Sequence, residues 1–323
     1  MASSPKLIQL NSEAQEVCPS GSNGRPRVAV LMSTYNGEKY LQEQVDSIAA
    51  QEGVEVEMFV RDDGSSDGTR KLLKEMSSMS KGCISSWNLT YGENLGFLES
   101  FERLLMSASG CDWYAFSDQD DVWLPNKLLS AVDSLCLAKA SLYASTVEIV
   151  DEKLETIGRN DFPGLTYTIA AELIRHRLAG HTMVWSDALQ SDIHSIGKLP
   201  CWSHDQHVVI AALISGTDMA FDESPHVLHR RLASSVTPGG AGLVKRLRHE
   251  LDMLWNPGHR WNREALAIAV GNIHGADITN GDRAFLQKCA AHKKIGIISD
   301  PEFNCGLAAG NAEACLSVLL GRF

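Results

Sequence analysis

The sequence lacks the features of a secreted, membrane-spanning or disulfide-stapled protein. Its eight cysteines include no C-x-x-C pair, and their spacing resembles neither a zinc ribbon nor a disulfide scaffold. The first residues contain no apolar stretch of signal-peptide length. The longest apolar run, residues 208–214, is far shorter than the roughly twenty residues that cross a bilayer. We therefore expect a cytoplasmic protein whose cysteines are thiols in a reducing compartment.

Basic charge is also scarce. The chain has 29 Lys and Arg residues against 40 Asp and Glu residues, which gives a net charge of −11. Nucleic-acid-binding domains usually carry a basic excess, so the composition argues against nucleic acid as the main partner. The hydrophobic content of 44% is ordinary for a soluble globular protein. The 323 residues suffice for one large α/β domain with an appendage, or for two domains.

Short apolar runs alternate with amphipathic helical patterns through the first half of the chain. Strands are predicted at residues 28–32, 56–60, 87–91, 111–116 and 141–150. Strands that alternate with helices indicate a mostly parallel sheet, covered on both faces by the helices. Ligands of such sheets bind at the carboxyl ends of the strands, and polar turns follow three of these strands.

The domain boundaries follow from changes in composition. Residues 1–25 are polar and rich in Pro, Gly and Ser towards their end, which predicts a flexible lead-in. The α/β domain is predicted over residues 26–240, and residues 241–323 read mainly as helices. Within the domain, a helix is expected at residues 166–178 and a strand at 180–185.

Three carboxylates stand within four residues after a buried strand, at Asp118, Asp120 and Asp121. Like charges this close repel one another unless a cation relieves them. Mg²⁺ and Mn²⁺ prefer oxygen ligands and often join carboxylates to substrate phosphates. The run therefore predicts a metal and phosphate site at the edge of the sheet. The alternative is a polar turn before a helix that begins near Pro125.

Three motifs occur in order at the strand ends: Ser33-Thr-Tyr-Asn-Gly37, Asp62-Asp-Gly-Ser-Ser-Asp-Gly-Thr69 and Ser117-Asp-Gln-Asp-Asp-Val-Trp123. Together they resemble family 2 of the glycosyltransferases. Gly92-Glu-Asn-Leu-Gly-Phe97 and the glutamine of the aspartate motif resemble its bacterial rhamnosyltransferase-like branch. The resemblance extends from about residue 27 to about residue 240. It implies an α/β protein with the GT-A fold, a nucleotide-sugar donor, a divalent metal and inversion at the anomeric carbon.

The resemblance implies roles for the motif residues. Asp120 is implied as the metal ligand, supported by Asp118 or Asp121, and the metal is Mg²⁺ or Mn²⁺. Such a metal can act as a Lewis acid on the leaving diphosphate. The residues implied to bind the donor are Thr34, Tyr35, Asn36, Asp62, Asp63, Asn94, Gly96, Asp118 and Arg230.

Two of these groups have structural alternatives. Asp62 and Asp63 also suit a turn followed by a helix cap, because Asp favours both. Residues 34–36 also suit an Asn-Gly turn. No Gly-rich phosphate loop follows a strand in this chain, which disfavours a sugar nucleotidyltransferase and a dehydrogenase.

An inverting transferase needs a base to deprotonate the acceptor hydroxyl. The resemblance places it at Ser203-His204-Asp205, with Asp205 as the base and His204 as a second catalytic residue. A first-turn Asp is favoured in its ionised form by the helix dipole, and a general base must be ionised. Alternatively, Asp205 only stabilises the helix start. Zinc between His204 and His207 is disfavoured because no third ligand is evident.

One position departs from the branch. Leu232 stands where a metal-proximal His is expected, although Arg230 matches. Three explanations are open. His229 or His226 could take the place of that His, or Arg230 and Arg231 could neutralise the diphosphate instead. The third is that the register of the comparison is wrong. The departure leaves a catalytically impaired nucleotide- or glycan-binding homologue as the alternative function.

The acceptor side is expected in the second half of the chain. His181 and Trp185 lie in a segment that resembles the border of an acceptor cleft, and either contact sugar or pack in the core. Residues 245–249 are basic and form either a membrane-binding helix or a solvated helix face. The expected partners are a dTDP- or UDP-linked sugar donor and a glycan or lipid-linked acceptor, with peripheral contact to the inner membrane face as an option.

Overall fold

The structure is a computed structural model that describes residues 4–10, 24–79, 81–231, 263–321 and 323. The predictions made for Leu232 and for the basic segment at residues 245–249 lie outside these residues.

Twelve strands occur in the described residues. In chain order they are β1 (Leu7–Leu10), β2 (Arg27–Thr34), β3 (Glu55–Asp62), β4 (Ile84–Tyr91), β5 (Trp113–Ser117), β6 (Val122–Trp123), β7 (Leu142–Ser145), β8 (Val147–Val150), β9 (Thr156–Asn160), β10 (Val184–Ser186), β11 (Met219–Asp222) and β12 (Val227–Arg230).

Eleven α-helices occur in the same part of the chain. They are α1 (Leu41–Ala49), α2 (Thr69–Ser77), α3 (Phe97–Ser107), α4 (Lys127–Ala138), α5 (Ile169–Ile174), α6 (Asp187–Ile196), α7 (His204–Ile214), α8 (Arg263–Gly271), α9 (Asn280–Ala290), α10 (Lys294–Ile298) and α11 (Ala308–Leu319). A 3₁₀ turn spans Gly180–Thr182.

The main sheet has eight strands in the order β1-β11-β7-β10-β5-β2-β3-β4. All neighbours are parallel except β10, which is antiparallel to both β5 and β7. The predicted mostly parallel sheet is confirmed. Strand β1 pairs with β11, which corrects the prediction of a flexible lead-in for residues 7–10: their apolar side chains and backbone complete one edge of the sheet.

Both faces of this sheet are buried. Along β2, Val28, Val30 and Met32 pack in one hydrophobic cluster, while Ala29 and Leu31 pack in the other. This alternation follows from the two-residue period of a strand, and helices on each side exclude water. The sheet therefore holds the loops at its carboxyl edge on a rigid base.

A second sheet has four strands in the order β6-β12-β8-β9. Strand β12 is antiparallel to β6, and Leu228 lies opposite Val122. The predicted strand at residues 141–150 divides at Thr146 into β7 of the first sheet and β8 of the second. The pairing of β6 with β12 brings His229 next to the aspartate motif.

Two predicted elements differ from the structure. The helix predicted at residues 166–178 covers only Ile169–Ile174, where Thr168 accepts a hydrogen bond from the Ala171 N–H and Arg175 is extended. The strand predicted at residues 180–185 begins as a 3₁₀ turn, because the N–H groups of Thr182 and Met183 donate to the carbonyls of Ala179 and Gly180.

The C-terminal helices join the main core. Leu266 and Phe285 pack in the same hydrophobic cluster as Trp185, so the described helical residues extend the α/β domain. Six cysteines are free thiols, but Cys136 is disulfide-bonded, which corrects the expectation of thiols throughout. Of the helices that the structure describes, none is long and apolar enough to cross a membrane.

Candidate active site

The three sequence motifs meet at the carboxyl edge of the main sheet. The Tyr35 N–H donates to Oε1 of Gln119 at 2.9 Å, and Nε2 of Gln119 donates to the Tyr35 carbonyl at 3.0 Å. The Ser66 N–H donates to Oδ1 of Asn36 at 2.8 Å. These bonds join the loops after β2, β3 and β5. Tyr35 itself is 48% exposed and available to a ligand.

Asp62 lies in the interior of this edge rather than on its surface. Its Oδ1 accepts a hydrogen bond from the Ser65 N–H at 3.1 Å and pairs with Arg70, and its Oδ2 accepts from Thr34 Oγ1 at 3.4 Å. Asp62 is fully buried. Its carboxylate therefore holds the loop after β3, as the turn alternative predicted, and contact of Thr34 or Asp62 with a nucleoside stays a prediction.

Asp63 caps a helix. It pairs with Arg61 and accepts hydrogen bonds from the N–H groups of Leu95, at 2.8 Å, and Gly96, at 2.9 Å, at the start of α3. Gly96 has a φ of 83°, a conformation that favours glycine. Asn94 Oδ1 also accepts from the Gly96 N–H. The predicted residues Asp63, Asn94 and Gly96 thus form one organised loop, and their contact with a donor stays a prediction.

Two carboxylates and two imidazoles converge beside this edge. His181 Nδ1 lies 3.1 Å from Asp118 Oδ2, and His229 Nδ1 lies 2.9 Å from Asp121 Oδ1. The two rings stack with centroids 4.5 Å apart and 9° between their planes. Ligand atoms of all four residues lie within 4.8 Å of one another. We call Asp118, Asp121, His181 and His229 the Asp/His cluster.

The donor atoms of the Asp/His cluster suit a divalent cation. None of the described residues gives a hydrogen-bond partner to the buried Asp121 Oδ2 or His181 Nε2. Burial alone would raise the pKa of Asp118, but the hydrogen bond and charge of His181 outweigh it and lower the pKa. Carboxylate and imidazole together match the ligands that Mn²⁺ and similar ions accept. The residues therefore fit a metal.

Asp120 lies next to the Asp/His cluster but is not one of its four members. Burial, and then the charges of Asp118 and Asp121, raise the pKa of Asp120 to about 7. A cation nearby would relieve this repulsion. Ligation by Asp118 and Asp121 has geometric support in the cluster, and ligation by Asp120 stays a prediction.

The structure distinguishes between His226 and His229, the two candidates for the imidazole that was expected at position 232. His226 lies 3.0 Å from Asp222 and 3.3 Å from Asn126, away from the Asp/His cluster. His229 instead contacts Asp121 directly, and the charge and hydrogen bond of Asp121 outweigh burial to raise the pKa of His229. Of the two candidates that the sequence left open, the geometry favours His229.

Arg230 connects the aspartate loop to two other segments of the chain. Its Nε donates to the Asp120 carbonyl at 3.0 Å, its Nη1 donates to the Glu152 carbonyl at 2.7 Å, and its Nη2 pairs with Glu43. The guanidinium also lies over the ring of Tyr40. Because these contacts use all three guanidinium nitrogens of the buried side chain, the geometry argues against the predicted contact with a diphosphate. Arg230 instead positions Asp120.

We expect Arg230→Met to destabilise the protein by about 1–3 kcal/mol, because it removes two hydrogen bonds from a charged, buried side chain to the Asp120 and Glu152 carbonyls. Urea denaturation followed by circular dichroism measures the free energy of unfolding. Arg103→Met is the control, since its ion pair with Glu99 is exposed and exposed pairs contribute about 0–1 kcal/mol. Equal free energies of unfolding for both variants would contradict this role for Arg230.

Asp205 begins α7 and contacts the turn that carries His181. Ser203 caps the helix as predicted, and its Oγ accepts from the Gln206 N–H at 3.4 Å. Asp205 Oδ2 accepts from the Gly180 N–H at 3.1 Å. Since His181 follows Gly180 directly, one 3₁₀ turn contacts both the Asp/His cluster and the candidate base.

The electrostatic environment keeps Asp205 ionised. Burial by itself would raise the pKa of Asp205, but the charge of His176 outweighs it and lowers the pKa. His176 Nε2 lies 3.4 Å from Asp205 Oδ1. Asp205 therefore carries the negative charge that a general base needs at neutral pH.

His204 and Trp185 are packing residues. The His204 ring stacks on Phe101 with centroids 4.0 Å apart and meets the edge of Phe116 at 4.5 Å. Burial lowers the pKa of His204. Trp185 is fully buried, and its Nε1 donates to Gln190. This geometry argues against the predicted catalytic role of His204, and it decides for packing at Trp185.

Solved structures share this architecture. It is similar to the crystal structure of S. aureus TarS 1–349 in complex with UDP-GlcNAc, with a TM-score of 0.51, 16% identity and coverage of 92% of this chain and 93% of that chain. It is also similar to the mannosyltransferase PcManGT from Pyrobaculum calidifontis in complex with GDP-Man and Mn²⁺, with a TM-score of 0.51, 17% identity and coverage of 97% and 92%. The protein has the GT-A fold.

Sequence comparison relates part of the chain to one family. Residues 29–186, just under half of the chain, match the profile of Glycosyl transferase family 2. One relative is the dTDP-rhamnosyl transferase RfbG of Shigella flexneri, 32% identical over 44% of this chain and 55% of that protein. Another is the UDP-Glc:alpha-D-GlcNAc-diphosphoundecaprenol beta-1,3-glucosyltransferase WfgD of Escherichia coli, 31% identical over 38% and 47%. The chain spans about half the length of these relatives or less.

The sequence interpretation missed two residues beside Asp205. Glu172 and His176 are four residues apart, and residues with this spacing lie on the same side of a helix. That spacing was a readable signal for their pairing, although nothing local indicated that His176 would meet Asp205. His181 was assigned to the acceptor side and lies instead in the Asp/His cluster.

Proposed function

We propose that the protein transfers a sugar from a nucleotide-diphospho-sugar donor to an acceptor hydroxyl with inversion at the anomeric carbon. One observation carries this proposal: the Gly180–Thr182 turn contacts Asp205 through the Gly180 N–H and enters the Asp/His cluster through His181. Because Gly180 and His181 are adjacent, one turn contacts both the proposed base and the proposed cation site, which is the arrangement that such a transfer needs.

In the proposed reaction the acceptor oxygen attacks the anomeric carbon from the face opposite the diphosphate. The new glycosidic bond forms as the bond between carbon and phosphate oxygen breaks, and the acceptor proton passes to Oδ1 or Oδ2 of Asp205. The nucleoside diphosphate leaves with the electron pair. General bases of this kind contribute roughly 10²–10⁴-fold in rate.

The Asp/His cluster is proposed to hold a divalent cation, with Asp120 facing the same ion or the donor phosphates. When bound, the cation supplies a Lewis acid for the charge that develops on the diphosphate. Mg²⁺ strongly prefers oxygen ligands, whereas two imidazoles suit a transition metal. We therefore propose Mn²⁺ ahead of Mg²⁺, and PcManGT with GDP-Man and Mn²⁺ gives this choice support.

The donor is proposed to be a dTDP- or UDP-linked sugar, since the names of RfbG and WfgD include such donors. The proposed acceptor is a glycan or lipid-linked sugar, and the name of WfgD includes a diphosphoundecaprenol acceptor. Transfer to a lipid-linked acceptor would suit a cytoplasmic enzyme in peripheral contact with the membrane, and this location is part of the proposal.

A screen of nucleotide sugars by thermal denaturation tests this function. dTDP-rhamnose, UDP-glucose, UDP-GlcNAc and GDP-mannose are each added with Mn²⁺, with Mg²⁺ or with EDTA. A donor that binds only the folded state raises its stability by about 2.7 kcal/mol at one hundred times Kd, and we expect this increase only with metal. The best donor is then assayed for release of nucleoside diphosphate.

The outcomes separate this function from the impaired homologue. Metal-dependent donor binding followed by release of nucleoside diphosphate supports the transferase. Binding without release, with water or any tested sugar acceptor, supports a binding protein that has lost catalysis. The presence of His229 in the Asp/His cluster supports the active enzyme, because it supplies the imidazole that Leu232 cannot.

A further inference from the structure

A buried row of three ionisable side chains ends at Asp205. Glu172 Oε2 lies 2.6 Å from His176 Nδ1, and His176 Nε2 lies 3.4 Å from Asp205 Oδ1. Glu172 and His176 are both less than a tenth exposed. Glu172 belongs to α5, His176 follows the end of that helix, and Asp205 lies in the first turn of α7.

Isolated charges at such depth are costly, and each is tolerated only when it is paired. Here the imidazole of His176 faces a carboxylate through each ring nitrogen. The raised pKa of His176, about 10, agrees with this position: burial opposes the charge, but Glu172 and then Asp205 outweigh it. The row therefore consists of a cation between two anions.

We propose that Glu172 and His176 form a positioning pair that orients the carboxylate of Asp205 for proton transfer and keeps it ionised. The proposal rests on the transferase function proposed above, because it assigns residues that support its base. Glu172 holds the ring of His176 through Nδ1, and the charged ring lies 3.4 Å from Oδ1 of Asp205 as an ion pair. The other oxygen is held by the Gly180 N–H, so the carboxylate is constrained on two sides.

Other titratable groups near Asp205 do not supply this cation. His204 faces it from the same helix, but burial lowers the pKa of His204 and leaves its ring neutral at neutral pH. Cys201, which precedes α7, is buried, and burial raises its pKa well above the ordinary value, so its thiol is neutral. Glu102 lies near His204 but is paired with His207.

The chain offers a matched control for the pair. Glu102 on α3 and His207 on α7 form a second buried pair, with His207 Nδ1 at 3.0 Å from both carboxylate oxygens of Glu102. His207 is two residues from Asp205 in sequence, and its hydrogen bonds go to Glu102. Changing His207 to Gln disturbs a buried pair of the same kind on the same helix, without removing a contact of Asp205.

The first experiment compares the pH dependence of kcat/KM in His176→Gln and His207→Gln with the donor found in the screen. Removing a cation beside a buried carboxylate raises the pKa of that carboxylate by about 1–3 pH units. Activity needs the ionised form, so the acid limb of the His176→Gln profile should move to higher pH by that amount. His207→Gln should keep the wild-type limb. Equal limbs in all three proteins would overturn the proposal.

Glu172→Gln is expected to change the alkaline limb of the pH profile of kcat/KM. Without the Glu172 carboxylate, the pKa of His176 falls, so its ring loses the proton as pH rises through the neutral range. At high pH the neutral ring no longer orients the Asp205 carboxylate, although Asp205 itself stays ionised; at low pH the ring keeps its charge and its orienting role. We expect a new decline of kcat/KM on the alkaline side and an unchanged acid limb. An unchanged alkaline limb would count against the role of Glu172.

A measurement without substrate separates this proposal from the proposed function. ¹⁵N NMR of the ring nitrogens, with His176→Gln used for assignment, reports whether His176 stays protonated up to about pH 9. The proposal expects earlier deprotonation in both Asp205→Asn and Glu172→Gln. If these titrations shift as expected but no donor is turned over, the proposed function is wrong, while the pairing of Glu172, His176 and Asp205 is supported. If His176 titrates near its ordinary pKa in the wild-type protein, the proposed positioning pair is wrong, whatever the activity.

Discussion

Asp205→Asn is expected to lower kcat by about 10²–10⁴-fold, which is the usual contribution of a general base. The amide keeps an oxygen that can accept from the Gly180 N–H, whose bond to Asp205 is 3.1 Å, but it cannot take a proton from the acceptor hydroxyl. The substitution changes the charge and preserves the shape. Initial rates of nucleoside diphosphate release at saturating donor measure this loss.

The alternative is that Asp205 only stabilises the start of α7. Asp187→Asn tests it, because Asp187 lies in the first turn of α6 behind a Ser cap, as Asp205 does in α7. Helix dipole effects are worth only about 0.3–1 kcal/mol, so a role limited to the helix start would leave turnover nearly unchanged in both variants. Only Asp205→Asn should lose turnover. A rate for Asp205→Asn within twofold of that for Asp187→Asn would leave Asp205 without a catalytic role.

Donor binding provides a second criterion for the same variant. Asp205 Oδ2 accepts from the Gly180 N–H, and Asp205 is not one of the four residues of the Asp/His cluster, so its substitution should leave the donor Kd within about threefold of wild type, less than 1 kcal/mol. Calorimetry of the donor with Mn²⁺ measures this constant. Loss of donor binding in Asp205→Asn would assign Asp205 to the donor site instead.

The main sheet could be predicted because its signals are local. Strands such as β2 are continuous apolar runs that end in polar turns, and a parallel sheet places those turns at one edge. The second sheet could not be predicted in this way. Its strands β6 and β12 are short and about one hundred residues apart, and only tertiary packing selects their pairing.

The position of His229 illustrates that limit. A comparison by sequence motif placed the expected imidazole at Leu232, and the pairing of Leu228 with Val122 brings His229 to Asp121 instead. Similar ambiguity affects Asp62 and Asp63. The carboxylate that binds a ligand and the carboxylate that holds a turn have the same sequence signature, and only the hydrogen bonds to Ser65 and Leu95 distinguish them.

The Asp/His cluster gives the second prediction with a large effect. Asp121→Asn and His229→Gln should each weaken Mn²⁺ binding by about 100-fold or more, because even partners outside the ligand set typically contribute 10–100-fold. The two residues contact each other, and Asp121 Oδ2 is buried without a hydrogen-bond partner among the described residues. Calorimetric titration of the protein with Mn²⁺ alone measures this affinity before any donor is added.

His226→Gln is the matched control, since His226 is three residues from His229 and pairs with Asp222 outside the cluster. Wild-type Mn²⁺ affinity in His226→Gln together with a loss in His229→Gln would assign the imidazole ligand to His229, while the reverse pattern would assign it to His226. Asp120→Asn extends the series. If it alone abolishes binding and Asp121→Asn does not, the metal is held by Asp120, and the cluster has a structural role. Because all these variants are titrated without substrate, the outcomes do not depend on the proposed transfer reaction.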